Sequence, residues 1–274
     1  MTAVASANAA LEAVRVPYLT AGEAYTLLRT ELERLLALVE TLDPADWAKP
    51  TACTEWTVRD MLAHQAGSYA SGTTYREMIH QYRAKPKVGQ LREDAVNALQ
   101  LAERADTSPA QLIAEIRRVG PIAIHKWAYQ FRLFKLLSVP HPVPGRLSMR
   151  DLMWVIHSRD TWMHRLDICR ATGRTFEQTT GHDDRIAALV MRDAAKKLAQ
   201  KLGTRAVVFD LSGLAGGLWK IGTGQATASI QMDALDYNVY ASGRYTYAEG
   251  RSKANVSGDV ALAELALKNT QVLY

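Results

Sequence analysis

The stretch Met149–Asp167, Met-Arg-Asp-Leu-Met-Trp-Val-Ile-His-Ser-Arg-Asp-Thr-Trp-Met-His-Arg-Leu-Asp, constrains the chain more than any other. It reads as one helix. Ser148 supplies a hydroxyl at the start and Asp151 a carboxyl in the first turn, a pattern that satisfies early backbone N–H groups. Leu152, Met153, Ile156 and Met163 recur at helical spacing and mark an inward face. Asp160 and His164 fall on that same stripe, four residues apart, one above the other. A carboxylate and an imidazole turned toward an apolar interior are costly unless something compensates them. A metal ion is one such partner, and His64, far upstream, can supply a third ligand. The plainer alternative is an ordinary i,i+4 surface contact worth a few tenths of a kcal/mol.

The rest of the chain supplies a frame for such a site. Thr20 to about Leu42 reads as a strong helix with Leu28, Leu32, Leu35, Val39 and Leu42 inward. Asp43-Pro44 breaks it, and Pro50-Thr-Ala-Cys-Thr-Glu-Trp56 is an irregular connector. Thr57 and Asp60 form a capping box that opens the helix bearing His64. The basic stretch Arg83–Val88 is a loop, and a helix follows from about Arg92 to Arg104. Ser108-Pro109 starts another, which Pro121 is expected to interrupt before a run from Ala123 to Leu136. Pro140, Pro142 and Pro144 with Gly145 give a stiff link into the central helix, and Asp183–Leu202 forms the last long one.

After Gly203 the texture changes. Ala206–Leu211, Leu218–Ile221, Ala226–Gln231 and Ala254–Ser257 have strand character; Asp233–Tyr240 and Asp259–Leu267 read as helices. The expected organisation is a helical bundle over residues 1–203 and a small α+β domain over 204–274, with residues 1–18 a loose lead-in.

Composition excludes several classes. The 274 residues are 48% apolar and 22% charged, an ordinary globular balance. The net charge of +5 is spread out with no basic arm, which argues against nucleic acid and fits small anionic substrates. Two cysteines, Cys53 and Cys169, point to a reducing cytoplasm. The N-terminal residues lack the pattern of a signal peptide, and no run is apolar enough to span a membrane. Gly213, Gly216 and Gly217 are not a phosphate loop, since no lysine-serine pair follows.

The leading constellation is therefore His64, Asp160 and His164. Two imidazoles and a carboxylate hold zinc with a fourth position open, or iron or nickel with several open. Around it, Asp167 either orients His164 or pairs with Arg165 or Arg170 at the helix end. His157 reads as a half-exposed helix histidine. Trp56, Trp154 and Trp162 read as packing residues and Cys53 as a small buried one. His125 and Trp127 are candidates for a cleft by residue type alone.

The connector and second helix, Trp47…Pro50-Thr-Ala-Cys-Thr-Glu-Trp-Thr-Val-Arg-Asp-Met-Leu-Ala-His64, together with Arg159-Asp-Thr-Trp-Met-His-Arg-Leu-Asp167, resemble the mycothiol-dependent maleylpyruvate isomerase family of DinB-like metalloenzymes. Leu211-Ser-Gly…Gly217-Leu-Trp-Lys-Ile-Gly222, Ser242-Gly-Arg244 and Val256-Ser-Gly-Asp259 resemble its C-terminal domain, which is similar to a sterol carrier protein. The resemblance implies an α+β protein: a DinB-like four-helix bundle followed by a small α+β domain. It implies a divalent metal, zinc first, on His64, Asp160 and His164, with Asp160 standing where the isomerase has the longer glutamate. It also implies mycothiol or a similar thiol as cosubstrate and an arginine of the C-terminal domain in catalysis, matched first by Arg244 and second by Arg251. The expected activity is isomerisation or S-transfer on a small electrophile; a thiol-independent hydrolase and a non-catalytic carrier of an apolar ligand are the rivals. The expected partners are small molecules, with no nucleic acid or membrane, and a homodimer is compatible with the sequence.

Overall fold

The computed structural model describes residues 10–53, 55–131 and 133–274. These divide into two compact units, each discontinuous in sequence. One comprises Leu19–Ser138 and Ser148–Glu177. The other comprises the described residues up to Tyr18, Val139–Leu147 and Gln178–Tyr274.

The first unit is a helical bundle. Its helices are α1 (Ala21–Val39), α2 (Val58–Ser71), α3 (Tyr75–Tyr82), α4 (Arg92–Ala102), α5 (Pro109–Tyr129) and α6 (His157–Thr172). Four of them close a ring: α1 packs on α5 and α6, and α2 packs on the same two. Helices α3 and α4 lean on α2 from outside. The starts follow local chemistry. Thr20, Thr57 and Ser108 each accept from the backbone N–H three residues on, with the reciprocal bond from Glu23, Asp60 and Gln111. Gly173, at φ +74°, ends α6 in the left-handed conformation.

Three expectations are corrected here. Pro121 does not interrupt α5, which runs unbroken from Pro109 to Tyr129. Pro121 is exposed, so the carbonyl it strips of a partner can be hydrated, while the opposite side of the helix is pinned. At that side a Cβ on Gly120 would stand 2.8 Å from the Leu32 side chain, so α1 and α5 approach closely. The central helix is not uniform either. Its first turn, Met149–Asp151, is capped by the Ser148 hydroxyl at 3.3 Å from Asp151 N. A π-helical turn, Leu152–Ile156, then leads into α6, immediately before the segment that carries Asp160. Such wide turns recur near functional sites. The third correction is α3, which lies where no element was expected.

The second unit is built on a sheet. Its elements are β1 (Leu11–Glu12), α7 (Asp183–Leu202), β4 (Ala206–Ser212), β5 (Gly217–Gly222), β6 (Ala226–Asp233), α8 (Ala234–Ala241), α9 (Tyr247–Lys253), β7 (Asn255–Gly258) and α10 (Val260–Lys268). Short strands β2 (Ser138–His141) and β3 (Gly145–Ser148) pair separately, so the proline-rich link is a hairpin. Among the described residues, a five-stranded sheet has the order β1-β5-β4-β6-β7. β4 is antiparallel to β5 and parallel to β6. The chain therefore crosses from one side of β4 to the other over only three residues. Glycines allow it: a Cβ on Gly222 or Gly224 would lie 2.1 Å from the Arg205 or Thr204 carbonyl.

Two boundaries differ from expectation. Helix α7 belongs to the sheet unit, where it packs on β5 and α10, rather than to a bundle ending at residue 203. Residues 10–18 are not a loose lead-in: Leu11 and Glu12 pair in parallel with Trp219 and Lys220, and Ala13 is buried. Residues 1–9 of that lead-in, and Thr54 of the connector, lie outside the described residues.

Candidate metal centre

Helix α2 carries His64, and α6 carries Asp160 and His164. The two helices pack together in the ring, so the three side chains meet. His64 is 7% and His164 5% exposed. His64 Nε2 lies 3.3 Å from Asp160 Oδ2, and His164 Nε2 lies 3.2 Å from Asp160 Oδ1. The imidazole centroids are 5.1 Å apart, edge to face. Each ring turns its Nε2 to the shared carboxylate.

The other ring nitrogens are engaged. His64 Nδ1 is 2.8 Å from Gln100 Oε1, and His164 Nδ1 is 3.4 Å from Asp167 Oδ2. Asp167 is 1% exposed and stands within reach of His164 Nδ1, where it can orient that ring. Gln65 Nε2 donates to Asp160 Oδ2 at 2.6 Å, and Thr161 Oγ1 donates to Gln65 Oε1 at 2.8 Å.

Charge is concentrated here. Burial opposes ionisation of Asp160, yet His164 and then His64 outweigh it and hold the carboxyl well below the usual carboxylate range. Burial likewise opposes charge on His164, but Asp160, then Asp167 and the Cys53 thiol, hold its pKa well above the ordinary imidazole value. Two carboxylates flank one imidazole, which favours its charged form.

The donor set fits a metal ion. Ligand bonds of about 2.0–2.1 Å in a tetrahedral site set neighbouring donors about 3.3 Å apart. The nitrogen–oxygen separations, 3.3 Å to Oδ2 and 3.2 Å to Oδ1, are of that order, and one ligand atom from each of the three residues lies within 4.8 Å of the others. His64, Asp160 and His164 would hold the ion.

Some residues near the site differ from their expected roles and others match them. Trp56 is half-buried, with its ring 5.0 Å from His64 and 5.8 Å from His164, so it covers the imidazoles instead of filling a core. Cys53 is half-buried and groups with His164 and Asp167. His157 is half-buried, as expected. It stacks on Trp127 at 3.9 Å and bonds to the Ser68 hydroxyl at 3.1 Å, and burial depresses its pKa to about 4. His125 is exposed beside Tyr129 and lines nothing near the centre. Trp154 donates to the Trp127 carbonyl, and Trp162 packs on Phe176; both are core. Cys169 is buried, which pushes its thiol up to about 11.

Arg244 lies in the other unit, half-buried in the turn after α8, its backbone N–H bonded to the Val239 carbonyl. Arg251 donates to Glu264 and to the Ala254 carbonyl. A further cluster, Glu77, His80 and Glu103, lies near the bundle surface with a 2.6 Å His80–Glu103 bond that raises the pKa of His80. Sequence reading missed Gln65, Gln81 and Gln100. Neutral amides carry no signal except their occurrence on helix faces that should be apolar.

The fold and site thus define a helical bundle that presents two histidines and an aspartate around one point. The family described as the mycothiol maleylpyruvate isomerase N-terminal domain matches residues 28–169, more than half of the chain, and includes all three residues. The chain belongs to that family. Solved structures of the mycothiol-dependent maleylpyruvate isomerase and of a histidine-to-alanine variant of it are similar. Each has a TM-score of 0.55 at 17% identity, over 88% of this chain and 95% of theirs. The shared architecture is α+β, with a DinB-like four-helix bundle and a C-terminal sheet domain. No curated protein matches. Among the described residues, no helix is long and apolar enough to cross a membrane.

Proposed function

We propose that this protein is a divalent-metal enzyme that uses a low-molecular-weight thiol, such as mycothiol, to isomerise or S-transfer a small electrophilic substrate. The observation that carries this reading is the convergence of His64 Nε2, His164 Nε2 and both Asp160 oxygens, within the segment that matches the family. Zinc is the first choice of metal for two imidazoles and a carboxylate. When bound, it would supply an open position at which a thiol or water loses its proton near neutral pH.

The chain's own residues do the rest. Asp160 balances charge, with Gln65 fixing one of its oxygens. Asp167 accepts from His164 Nδ1 and holds that ring in orientation. Trp56 shields the imidazoles on one side. No protein thiol is required, because the nucleophile is the cosubstrate. Its addition to an activated double bond frees the carbon–carbon bond to rotate, and its departure leaves the isomer. We also propose a catalytic role for Arg244.

Elemental analysis of zinc-loaded wild type and His164→Ala is the first test. One ion per wild-type chain and none in the variant is expected; a wild type that takes up no metal overturns the reading. Turnover of maleylpyruvate that requires added thiol separates it from a hydrolase. Arg244→Ala should lower kcat with metal content unchanged.

A further inference from the structure

We infer that Gln81 and Gln100 form a relay, anchored on the Gly67 carbonyl, that fixes the His64 ring with its proton on Nδ1 and its lone pair on Nε2. The consequence for metal rests on the centre proposed above; the geometry does not.

The chain of bonds has one direction. A backbone carbonyl and a carboxylate can only accept. Gln81 Nε2 donates to both, to Gly67 O at 2.9 Å and to Glu77 Oε1 at 2.9 Å. That fixes the Gln81 amide with its oxygen toward Gln100, whose Nε2 donates to it at 2.8 Å. Gln100 must then show its own oxygen to His64 Nδ1, 2.8 Å away, and that nitrogen must carry a proton. Turning the Gln100 amide over would set oxygen against oxygen. Gln81, Gln100 and His64 are 2%, 3% and 7% exposed, so water cannot substitute for a missing partner.

The packing is made for this. A Cβ on residue 67 would lie 2.5 Å from Gln100 Cγ and 2.6 Å from its Cβ. Gly67 is the recess through which the Gln100 stem reaches α2, and its carbonyl is also the anchor.

The relay opposes a competing preference. Asp160 Oδ2 lies 3.3 Å from His64 Nε2. A neutral imidazole facing a carboxylate puts its proton on the facing nitrogen, and a protonated Nε2 cannot ligate. The two histidines reach the same end differently: Asp167 orients His164 with a charge, and Gln100 orients His64 with a neutral amide. Gln100 and Gln81 are positioning residues.

The test uses ring-nitrogen NMR of labelled full-length protein, metal-free and zinc-loaded, with zinc affinity by competition against a chelator. Thermal melting establishes that each variant is folded. Metal-free wild type should show a protected Nδ1–H on His64. Gln100→Leu should lose it, and zinc affinity should fall about 10–100-fold. Gln100→Glu keeps an acceptor opposite Nδ1 and should restore both relative to Gln100→Leu. Gln81→Leu, which does not touch His64, should release the Gln100 amide and move ring proton to Nε2. A wild-type ring protonated on Nε2 alone overturns the relay. So do Gln100→Leu and Gln81→Leu variants with wild-type spectra and affinity. If wild type takes up no zinc, the metal reading falls, and the metal-free spectra alone decide the relay by the same criteria.

Discussion

Two groups of buried charge share helix α6, one residue apart. At Arg165 every charge is closed off. Its guanidinium is 2% exposed and meets both oxygens of Glu31, which is 0% exposed, at 3.0 and 3.2 Å. It also donates to the Glu177 carbonyl and lies over the Phe176 ring. At His164 the partners are arranged the other way. Each imidazole is satisfied at Nδ1 and turns Nε2 to a carboxylate that His64, His164 and Gln65 share. A saturated pair holds helices together, while at the second group ligand-type atoms of three residues converge on one point. Burial and charge do not distinguish the two groups; that convergence does.

That contrast can be broken by experiment. The largest effect is expected at the closed pair. Arg165→Ala leaves Glu31 buried without its cation and should cost about 3–5 kcal/mol in denaturant unfolding, with zinc stoichiometry of the folded protein unchanged. Metal-free His164→Ala should cost less than half of that while abolishing zinc binding. Equal costs would erase the distinction.

The next effect is on pH. Burial lowers the folded-state pKa of His157 from 6.5 to about 4. The unfolded chain therefore binds this proton first, so stability is full above about pH 6.5 and falls as pH drops toward 4. The ceiling is about 3 kcal/mol at 1.36 kcal/mol per pKa unit, less what solvent at this half-buried ring relieves. His157→Asn should flatten the slope between pH 6.5 and 4; an unchanged slope would assign it to other groups.

Zinc at about a hundred times its Kd should stabilise wild type by about 2.7 kcal/mol, seen as a rise in Tm that chelator reverses. Arg165→Ala should keep that increment and His164→Ala should lose it. The smallest effect is at the start of α2. Thr57→Ala removes the hydroxyl that accepts from Asp60 N and should cost about 1 kcal/mol without changing zinc stoichiometry.

Much of the molecule was legible in the sequence because its signals are local. Thr20, Thr57 and Ser108 announce helix starts through bonds within three residues, and Gly173 announces an end through its own backbone. Asp160 and His164 share a face because four residues nearly complete a turn. The strands of the second unit follow from alternation and glycine turns. Short or context-dependent elements were hidden. β1 has two residues and exists only because β5 offers an edge. Pro121 looks like a break until α1 is packed against its neighbour Gly120.

What the sequence determined alone is most of the helices with their caps and the candidate ligand residues on two of them. Tertiary structure decided that His64 stands across from Asp160, that Trp56 and Cys53 sit beside the imidazoles, that α7 joins the sheet unit, that Gln65 reaches Asp160, and that Gln100, backed by Gln81, reaches His64. The reason is range. A cap or an i,i+4 pair forms between atoms the backbone already holds close. The His64–Gln100 bond spans 36 residues and the His64–Asp160 contact 96, and only the packing of the bundle brings those atoms together.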